Sequence, residues 1–310
     1  MQGTRRRVLD ALAEGPVTGP ELAAQLGVSR AAVWKHVEAL REAGFGIESG
    51  EGGYRVVDVP DYGGLAVEFG LAAPFTVEYH EEIDSTNRRA RELAAEGATD
   101  VVVLAGAQTG GRGRLDREWS SPPGGVYLST LCRPDLPTAH APVYTLAAAV
   151  AATRAAREAG ADAGSKWPND GLVPAGEDER KLVGILTEME GEADRVSWVI
   201  VGVGANVDVP GVDLPATATS LRELGADADR RTFVRRFLGA FEGLRSDPDS
   251  ILPAWREHAL TLGRRVRVET TKGTVEGEAV DVAFPGALVV ETAEGERRVS
   301  AGDCEHLRPV

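Results

Sequence analysis

Two apolar segments and the loop between them stand out in VVVLAGAQTGGRGRLDREWSSPPGGVYLSTLC, residues 101–132. The ends of this stretch, 101–108 and 126–132, are short runs rich in apolar residues, which predicts two buried β-strands. The segment between them is rich in glycine, arginine and serine and predicts a loop.

The loop concentrates positive charge in a chain whose formal net charge is −14. Arg112, Arg114 and Arg117 lie within six residues and are interleaved with glycines, which let a backbone approach a ligand closely. Arginine forks suit carboxylate and phosphate oxygens, and Trp119 offers a ring that packs over an apolar or aromatic ligand. The loop contains neither GxxxxGK[ST] nor a GxGxxG that opens a helix. It predicts an anion site of another kind, with a solvated surface loop as the alternative.

Strands and helices alternate outward from this stretch, which predicts an α+β domain with a mixed sheet over residues 76–262. Further strands are predicted at 77–80, 181–190 and 196–207, and helices at 85–97, 143–159, 231–244 and 251–259. Residues 61–75 have weaker patterning and predict a linker with one short helix. Residues 263–310 contain short alternating segments with turns such as Lys272-Gly273, which predicts a small β-barrel.

The first sixty residues differ from the rest in charge and pattern. They carry a net charge of −1, against −13 for the remainder. Two helices, a tight turn, a third helix and a hairpin predict a winged helix-turn-helix over residues 1–60. Ser29 caps the third helix, from which Arg30, Trp34 and Lys35 project outward, as in a helix that reads the major groove of DNA. A winged helix that binds protein is the alternative.

Lysine is rare, and two of the four lysines lie close together. Of 34 basic residues, only Lys35, Lys166, Lys181 and Lys272 are lysines. Lys181 begins an apolar strand, and a partly buried ammonium group is costly unless an anion accompanies it. A ligand carboxylate or phosphate meets that need, and pairing with Glu179 or Glu188 is the alternative.

Two further segments indicate ligand binding only weakly when each is taken alone. Ser85 and Thr86 in IDSTN open a helix, whose N-terminus offers free N–H groups, although an ordinary helix cap accounts for them equally well. Asn206 in GVGANV follows a strand.

Cysteine content and hydropathy bear on the cellular compartment of the protein. Cys132 and Cys304 are isolated, no signal peptide opens the chain, and the longest apolar run is too short to span a membrane. We therefore expect a cytoplasmic protein without a membrane segment. The five histidines are dispersed, so no dedicated metal site is expected.

Taken together and in order, these motifs are specific. DSTN (84–87), the QTGGRGR…W segment (108–119), KWPND (166–170), RKLVGIL (180–186) and GVGANV (202–207) resemble the biotin protein ligase family. The first sixty residues resemble the winged helix of its bifunctional members, which also repress biotin-synthesis genes. The resemblance covers nearly the whole chain. It implies a central sheet related to class II synthetase and lipoate ligase folds and an SH3-like C-terminal barrel.

The resemblance implies an activity and a set of site residues. Biotin and ATP would form biotinyl-5′-AMP, with Mg²⁺ held mainly through ATP, before biotin passes to a lysine of a biotin carboxyl carrier protein. A homodimer that binds operator DNA through residues 1–60 is also implied. The implied catalytic residues are Lys181 and Arg114. The implied biotin-binding residues are Ser85, Thr86, Asn87, Gln108, Gly111, Arg112, Gly113, Arg114, Lys181 and Gly184. The implied nucleotide-binding residues are Arg112, Arg114, Arg117, Trp119, Lys166, Asn169, Lys181 and Asn206, and the implied DNA-binding residues are Ser29, Arg30, Trp34 and Lys35.

One position departs from the family pattern, and two alternative functions remain. The family loop usually has the form GRGRxGR, and Asp116 stands here in place of its later glycine, which bears on the flexibility of the loop and on the role of Arg117. A lipoate–protein ligase would share the fold. A biotin-sensing DNA-binding regulator without ligase activity would share the N-terminal domain.

Overall fold

The computed structural model describes residues 2–176, 178–192 and 194–307. The chain forms two compact units, one that ends at Val77 and one that begins at Glu78. The finer division predicted at residues 60, 75 and 262 stays a prediction. Residue 1 of the predicted first domain, residues 177 and 193 of the central domain and residues 308–310 of the last domain lie outside the described residues.

The first unit contains a helix-turn-helix followed by a β-hairpin. Its elements are α1 (Gln2–Ala13), α2 (Gly19–Leu26), α3 (Arg30–Glu42), β1 (Gly46–Gly50), β2 (Gly53–Asp58) and the short α4 (Gly64–Glu68). Thr18 and Ser29 cap α2 and α3, as their side chains accept backbone N–H groups of the first turn. Apolar residues at helical spacing, including Leu9, Leu22, Val33, Val37 and Leu40, form the buried core of this unit.

A seven-stranded sheet is the centre of the second unit. Its strands are β3 (Thr76–Ile83), β4 (Val101–Gln108), β5 (Val126–Cys132), β6 (Gly164–Lys166), β7 (Asp170–Ala175), β8 (Asp178–Glu192) and β9 (Arg195–Ala205), in the order β3-β4-β5-β9-β8-β7-β6. Neighbours from β4 to β6 pair antiparallel. β3 and β4 are joined through a helix, the connection that parallel neighbours need. The predicted α+β class with a mixed sheet is confirmed.

Four helices cover the sheet: α5 (Thr86–Ala95), α6 (Val143–Glu158), α7 (Arg230–Ser246) and α8 (Ile251–His258). α5 packs on β4, β5 and β9, whereas α6 packs on β6 to β9 and contacts α7 and α8. α6 is rich in alanine and almost wholly buried, because small side chains let its backbone approach both the sheet and its helical neighbours.

The C-terminal segment forms a separate five-stranded antiparallel sheet. Its strands are β10 (Arg265–Thr270), β11 (Gly273–Ala283), β12 (Ala287–Thr292), β13 (Gly295–Val299) and β14 (Asp303–His306), in the order β13-β12-β11-β10-β14. The predicted strands are present. Within the described residues the edge strands β13 and β14 do not pair with each other, so a closed SH3-like barrel is not confirmed. The C-terminal sheet contacts the KWPND segment, residues 166–170, because the Trp167 indole N–H donates to the carbonyl oxygen of Gly286 at 2.9 Å.

Candidate active site

A cavity of about 270 Å³ lies where the arginine loop meets β8, β9 and the start of α5. Its lining residues come from segments as far apart in the sequence as Ser85 and Asp303. The predicted site residues that line it are Ser85, Thr86, Asn87, Gln108, Arg112, Gly113, Arg114, Arg117, Trp119, Asn169, Lys181, Gly184 and Asn206. Two predicted residues do not line this cavity: Lys166 ends the edge strand β6, and Gly111 is buried in the loop and lines a neighbouring groove.

Glycines on two neighbouring strands make room for Trp119. Gly184 on β8 pairs directly with Gly204 on β9. A Cβ atom at Gly204 would lie 2.5 Å from the Trp119 Nε1 atom, and one at Gly184 would lie 2.7 Å from the ring carbon Cζ3. These distances are shorter than van der Waals contact. Any other residue at either position would displace the indole from the cavity wall.

The arginine loop has a tight backbone. A Cβ atom at Gly111 would lie 2.5 Å from the Trp119 carbonyl oxygen, so this glycine allows the loop to fold back on itself. Leu115 and Asp116 both have φ of 56°, in the left-handed region that favours glycine. Asp116 therefore adopts the backbone conformation for which the family's usual glycine is suited, despite the departure in sequence.

The three loop arginines differ in their partners. Arg114 donates to the side-chain oxygen of Asn169 at 3.1 Å and to the Gly302 carbonyl oxygen at 2.9 Å. Arg117 pairs with the carboxylate of Asp303, and this contact holds the pKa of Asp303 below its usual range. Arg112 has no side-chain hydrogen bond or ion pair with any residue that the structure describes. The C-terminal sheet therefore orders two of the arginines and leaves the third open to the cavity.

Lys181 pairs with a carboxylate that the sequence analysis did not assign. Its Nζ atom lies 2.8 Å from Oδ1 of Asp170 and 5.1 Å from the centroid of the Trp119 ring. The predicted alternative partners, Glu179 and Glu188, make no ion pair with it. Asp170 and the indole face together stabilise the ammonium charge at the cavity.

The far end of the cavity is a network of neutral polar groups. Gln108 accepts hydrogen bonds from the Thr86 amide and hydroxyl, at 2.9 and 3.1 Å. Ser129 Oγ, on the buried strand β5, lies 2.8 Å from the Thr86 hydroxyl oxygen and 2.6 Å from the Asn87 side-chain oxygen, and its single hydrogen is donated to one of them at a time. Asn87 in turn donates to Glu188 at 3.1 Å. These bonds fix the orientation of each group, so this end suits a neutral, hydrogen-bonding ligand group.

The two ends of the cavity differ in charge. Four cations, Arg112, Arg114, Arg117 and Lys181, line it together with three carboxylates. The local balance is thus positive in a protein whose net charge is −14. The arrangement suits a ligand with a negative charge at one end and neutral donors and acceptors at the other.

Asn206 lines the cavity, and its amide nitrogen and backbone N–H both bond to the surrounding backbone. Its amide nitrogen donates to the Thr219 carbonyl oxygen at 3.1 Å, and its backbone N–H donates to Leu182. Residues 217–219 also bond to the Lys181 backbone on both sides, at 2.8 and 3.0 Å. Asn206 therefore helps hold the strand that carries Lys181.

Sequence reasoning missed several residues that line the cavity. Asp170 was visible in KWPND but received no role, and its spacing from Lys181 gave no sign that they pair. Asp303 lies almost two hundred residues from the loop that it contacts. The segment 214–218 had no periodicity. Gly202 was part of GVGANV, and a Cβ atom there would lie 2.2 Å from the Asn87 side-chain oxygen.

The predicted DNA-reading residues lie on or beside α3. Ser29 caps the helix, and the Trp34 side chain is 55% exposed. Arg30 and Lys35 are exposed, with no side-chain ion pair or hydrogen bond in the described part of the chain. Inside the helix Val33, Val37 and Leu40 face the core, so the exposed face is rigidly supported.

Among the described residues, no group of three or more histidines, cysteines or acidic residues is close enough to hold a metal ion. Within that same part of the chain, no helix has the length and apolar character that crossing a membrane requires.

Comparison with protein families divides the chain into three matches. Residues 79–206 match the biotin/lipoate A/B protein ligase family, residues 4–55 match a helix-turn-helix domain, and residues 261–307 match the biotin protein ligase C-terminal domain. A solved structure, that of the biotin protein ligase from Aquifex aeolicus in complex with biotin and ATP, is similar with a TM-score of 0.62. It is 27% identical and covers 74% of this chain and 99% of its own.

Two characterised relatives cover most of the chain. The bifunctional ligase/repressor BirA of Bacillus subtilis is 38% identical over 311 residues, 93% of this chain and 93% of its own. The biotin–[acetyl-CoA-carboxylase] ligase of Mycobacterium tuberculosis is 36% identical and covers 72% of this chain and 86% of its own. This chain belongs to the biotin protein ligase family, among the members that carry an N-terminal helix-turn-helix domain.

Proposed function

We propose that the chain is an ATP-dependent biotin protein ligase that also acts as a biotin-responsive DNA-binding repressor. The observation that carries the ligase is the cavity, with cations at one end and a neutral hydrogen-bonding network at the other. Biotin has the matching form, because its ureido ring is neutral and its carboxylate is charged. Relatives that cover most of the chain are named ligases, and the similar Aquifex structure holds biotin and ATP.

The first half-reaction joins the two anionic substrates. The biotin carboxylate attacks the α-phosphorus of ATP, and the bond to the departing diphosphate breaks, which leaves biotinyl-5′-AMP. Lys181 and Arg114 act as the catalytic residues, since their fixed charges stabilise the negative charge that builds up on the phosphate oxygens. Asp170 and Asn169 orient these two cations before substrate arrives.

The second half-reaction transfers biotin to protein. The amine of a lysine on a biotin carboxyl carrier protein attacks the biotinyl carbonyl carbon, and AMP leaves. The released AMP is a stable anion. Closure of the arginine loop over the adenylate would exclude water and protect the mixed anhydride from hydrolysis until the carrier arrives.

Substrate positions follow from the two ends of the cavity. Biotin would be held by Ser85, Thr86, Asn87, Gln108, Gly111, Arg112, Gly113 and Gly184, with Arg114 and Lys181 at its carboxylate. The nucleotide would be held by Arg112, Arg114, Arg117, Trp119, Lys166, Asn169, Lys181 and Asn206. Mg²⁺ would be bound mainly by the phosphate oxygens of ATP and by water. It would neutralise charge on the departing diphosphate.

Two rival functions share parts of this evidence. The family model at residues 79–206 spans biotin and lipoate ligases alike and does not separate them. The names of the full-length relatives favour biotin. A sensor without ligase activity would have no need for Lys181 and Arg114 to be oriented at the cavity.

Mass spectrometry tests the first half-reaction directly. The protein is incubated with biotin and MgATP, desalted and measured under native conditions. A mass gain equal to biotinyl-5′-AMP supports the proposal. A parallel incubation with lipoate and MgATP tests the rival, which is favoured if an adenylate forms from lipoate and not from biotin. Failure to transfer labelled biotin from that complex to a carrier domain would leave the sensor as the better account.

Repression is supported by the helix-turn-helix match and by the exposed, unpaired cations of α3. We propose that a cytoplasmic homodimer binds two-fold symmetric operator DNA through Ser29, Arg30, Trp34 and Lys35, more tightly when biotin and ATP are present. A mobility-shift titration on the host's biotin-synthesis promoter, with and without these ligands, tests it. The absence of a shift alongside intact ligase activity would assign the domain another role.

The domain boundaries at residues 60, 75 and 262 are part of the same proposal. Residues 263–310 would act as an SH3-like cap on the ligase domain, curved enough to cover the nucleotide end of the cavity. Its contacts with Arg114 and Arg117 support that role.

A further inference from the structure

A chain of hydrogen bonds behind the active site links the C-terminal sheet to the two lysine-bearing segments. Thr261 Oγ1 accepts the backbone N–H of Trp167, the residue after Lys166, at 2.9 Å. The same oxygen lies 3.0 Å from His306 Nε2, and His306 Nδ1 lies 2.9 Å from a carboxylate oxygen of Glu179. Glu179 precedes Lys181 by two residues on β8, and we call this set the histidine relay.

The partners of the relay determine where the imidazole carries its proton. A carboxylate can only accept, so Nδ1 of His306 must carry the hydrogen that points to Glu179. Thr261 already accepts from Trp167, which leaves its hydroxyl hydrogen free to donate to Nε2. One neutral tautomer, with hydrogen on Nδ1, therefore satisfies the bonds to Thr261 and Glu179. Arg264 also lies 3.4 Å from Nδ1, but its closer contact is with Glu179 at 2.8 Å.

The arrangement has the outline of a nucleophile–histidine–carboxylate triad, but it does not act as one. Thr261 is fully buried, so no substrate carbonyl can reach its hydroxyl. Its oxygen is also engaged by a backbone N–H group. The relay therefore holds structure in place and has no nucleophilic chemistry.

Charges around the relay favour the neutral imidazole. Burial is the main reason why the pKa of His306 is lowered, and the nearby cations Lys166 and Arg264 lower it further. Glu179 acts in the opposite direction, but Arg264 lies 2.8 Å from its other oxygen and neutralises it. These three are the charged groups that face His306 from the strands and loop around it.

We propose that His306, through Thr261 and Glu179, is a positioning residue for adenylate formation. One arm of the relay fixes the backbone at Trp167, between Lys166 and Asn169, and Asn169 orients Arg114. The other arm fixes Glu179, which shares a face of β8 with Lys181 because alternate strand residues point the same way. The relay thus fixes the position of Lys181 relative to Arg114, the two cations of the proposed reaction. This inference rests on the proposed ligase function.

Replacement of Thr261 by valine tests the relay with almost no change in volume. Thr261→Val removes the hydroxyl, whereas Thr261→Ser retains it. We expect Thr261→Val to lower kcat for biotin-dependent ATP–diphosphate exchange at least about tenfold, because small misplacements of reacting groups have large effects on rate. The KM for biotin should rise by a smaller factor than kcat falls, since Thr86 and Gln108 lie outside the relay. Thr261→Ser should retain most of the activity.

Thr130→Val is the matched control. Thr130 is also fully buried, but its hydroxyl has no hydrogen-bond partner among the described residues. This variant should keep wild-type kcat. Rates are expressed per active site, counted by burst formation of adenylate, so that partial unfolding does not count as lost catalysis. Unchanged kcat per site in Thr261→Val would overturn the proposal, as would an equal loss in Thr130→Val.

Two spectroscopic measurements separate the relay from the proposed function. Nitrogen-15 NMR should find His306 neutral with its hydrogen on Nδ1 at pH values above the ordinary histidine pKa of about 6.5. Hydrogen exchange at the Trp167 amide should quicken in Thr261→Val and not in Thr130→Val. Hydrogen on Nε2 in the wild-type protein would refute the relay even if the ligase is active. A wild-type protein with the expected tautomer and no exchange activity would refute the ligase instead.

Discussion

The active-site cavity and the outer face of α3 both present cations, but they hold them differently. In the cavity, Lys181, Arg114 and Arg117 each have an anionic or carbonyl partner within hydrogen-bonding distance or in ion-pair contact. On α3, Arg30 and Lys35 have no such partner among the described residues. For Lys181 and Arg114 the difference follows from burial, because water solvates an exposed cation whereas a partly buried one needs protein groups. Arg117 is exposed and is held by Asp303, and Arg112 is exposed without a side-chain partner among the described residues.

The two arrangements suit two kinds of anion. Cations that are already oriented lose little freedom when a small phosphate arrives, so their charge is available to a transition state. Mobile cations on a helix surface contact the DNA backbone over a range of geometries, and counterion release strengthens that contact. The same side-chain types thus serve catalysis or DNA binding according to how firmly they are held.

The largest expected effect comes from removing an oriented cation. Lys181→Ala should reduce adenylate formation at least about a hundredfold, the scale reported for loss of one preorganised donor to a transition state. Biotin-dependent ATP–diphosphate exchange measures it. Lys272→Ala, on the exposed turn before β11, is the control and should leave the rate unchanged. If Lys181→Ala exchanged at nearly the wild-type rate, the cavity cations would be no different in kind from those of α3.

A smaller effect is expected when the mobile cations are removed. The double variant Arg30→Ala, Lys35→Ala should weaken operator binding about tenfold or more. It should also lower the slope of log affinity against log salt by roughly two, one for each phosphate contact. Ligation should be unaffected. Mobility-shift titrations at several salt concentrations measure both quantities, and an unchanged salt slope would exclude phosphate contacts by these residues.

Local patterns were enough to predict most of the fold. Apolar runs and caps predicted α2, α3, α5, α6, α7 and α8 and strands β4, β5, β8 and β9, because each has the period of its element and a clear start or stop. The short strands β6 and β7 were missed. They lie within the KWPND segment and after it, where three to six residues are too few to show a period. A small barrel was predicted from the short alternating strands, and its SH3-like form was implied by the resemblance; β13 and β14 do not pair among the described residues, so neither is confirmed.

The site was predictable where one short segment contains the signal. GRGR, KWPND and RKLVGIL each concentrate unusual residues, so Arg114, Asn169 and Lys181 were predicted from sequence, and all three line the cavity. Asp303 and His306 were not, since their partners lie more than a hundred residues away and no local pattern encodes such a contact. Asp116 was predicted to alter the loop, yet its φ of 56° preserves the backbone form.

The smallest expected effect comes from a buried titratable group that the fold keeps neutral. His258 is buried at the end of α8, and neither of its ring nitrogens has a hydrogen-bond partner in the part of the chain that the structure describes. Burial is the main cause of its lowered pKa, and the nearby Arg157 and Arg154 act in the same direction, against Glu257. The folded protein therefore holds this imidazole neutral.

The lowered pKa of His258 should make the folded protein less stable as the pH falls. Because the folded pKa lies below the unfolded value of about 6.5, the unfolded chain binds the proton more readily. Stability from this group is complete above that pH and falls as the pH decreases through it. The melting temperature of the wild type should drop between about pH 7 and 5, and His258→Leu should drop less over the same interval. If the melting temperatures of His258→Leu and the wild type fell in parallel with pH, a buried histidine would tolerate charge here without a partner. That result would contradict the expectation that a buried cation needs protein groups around it.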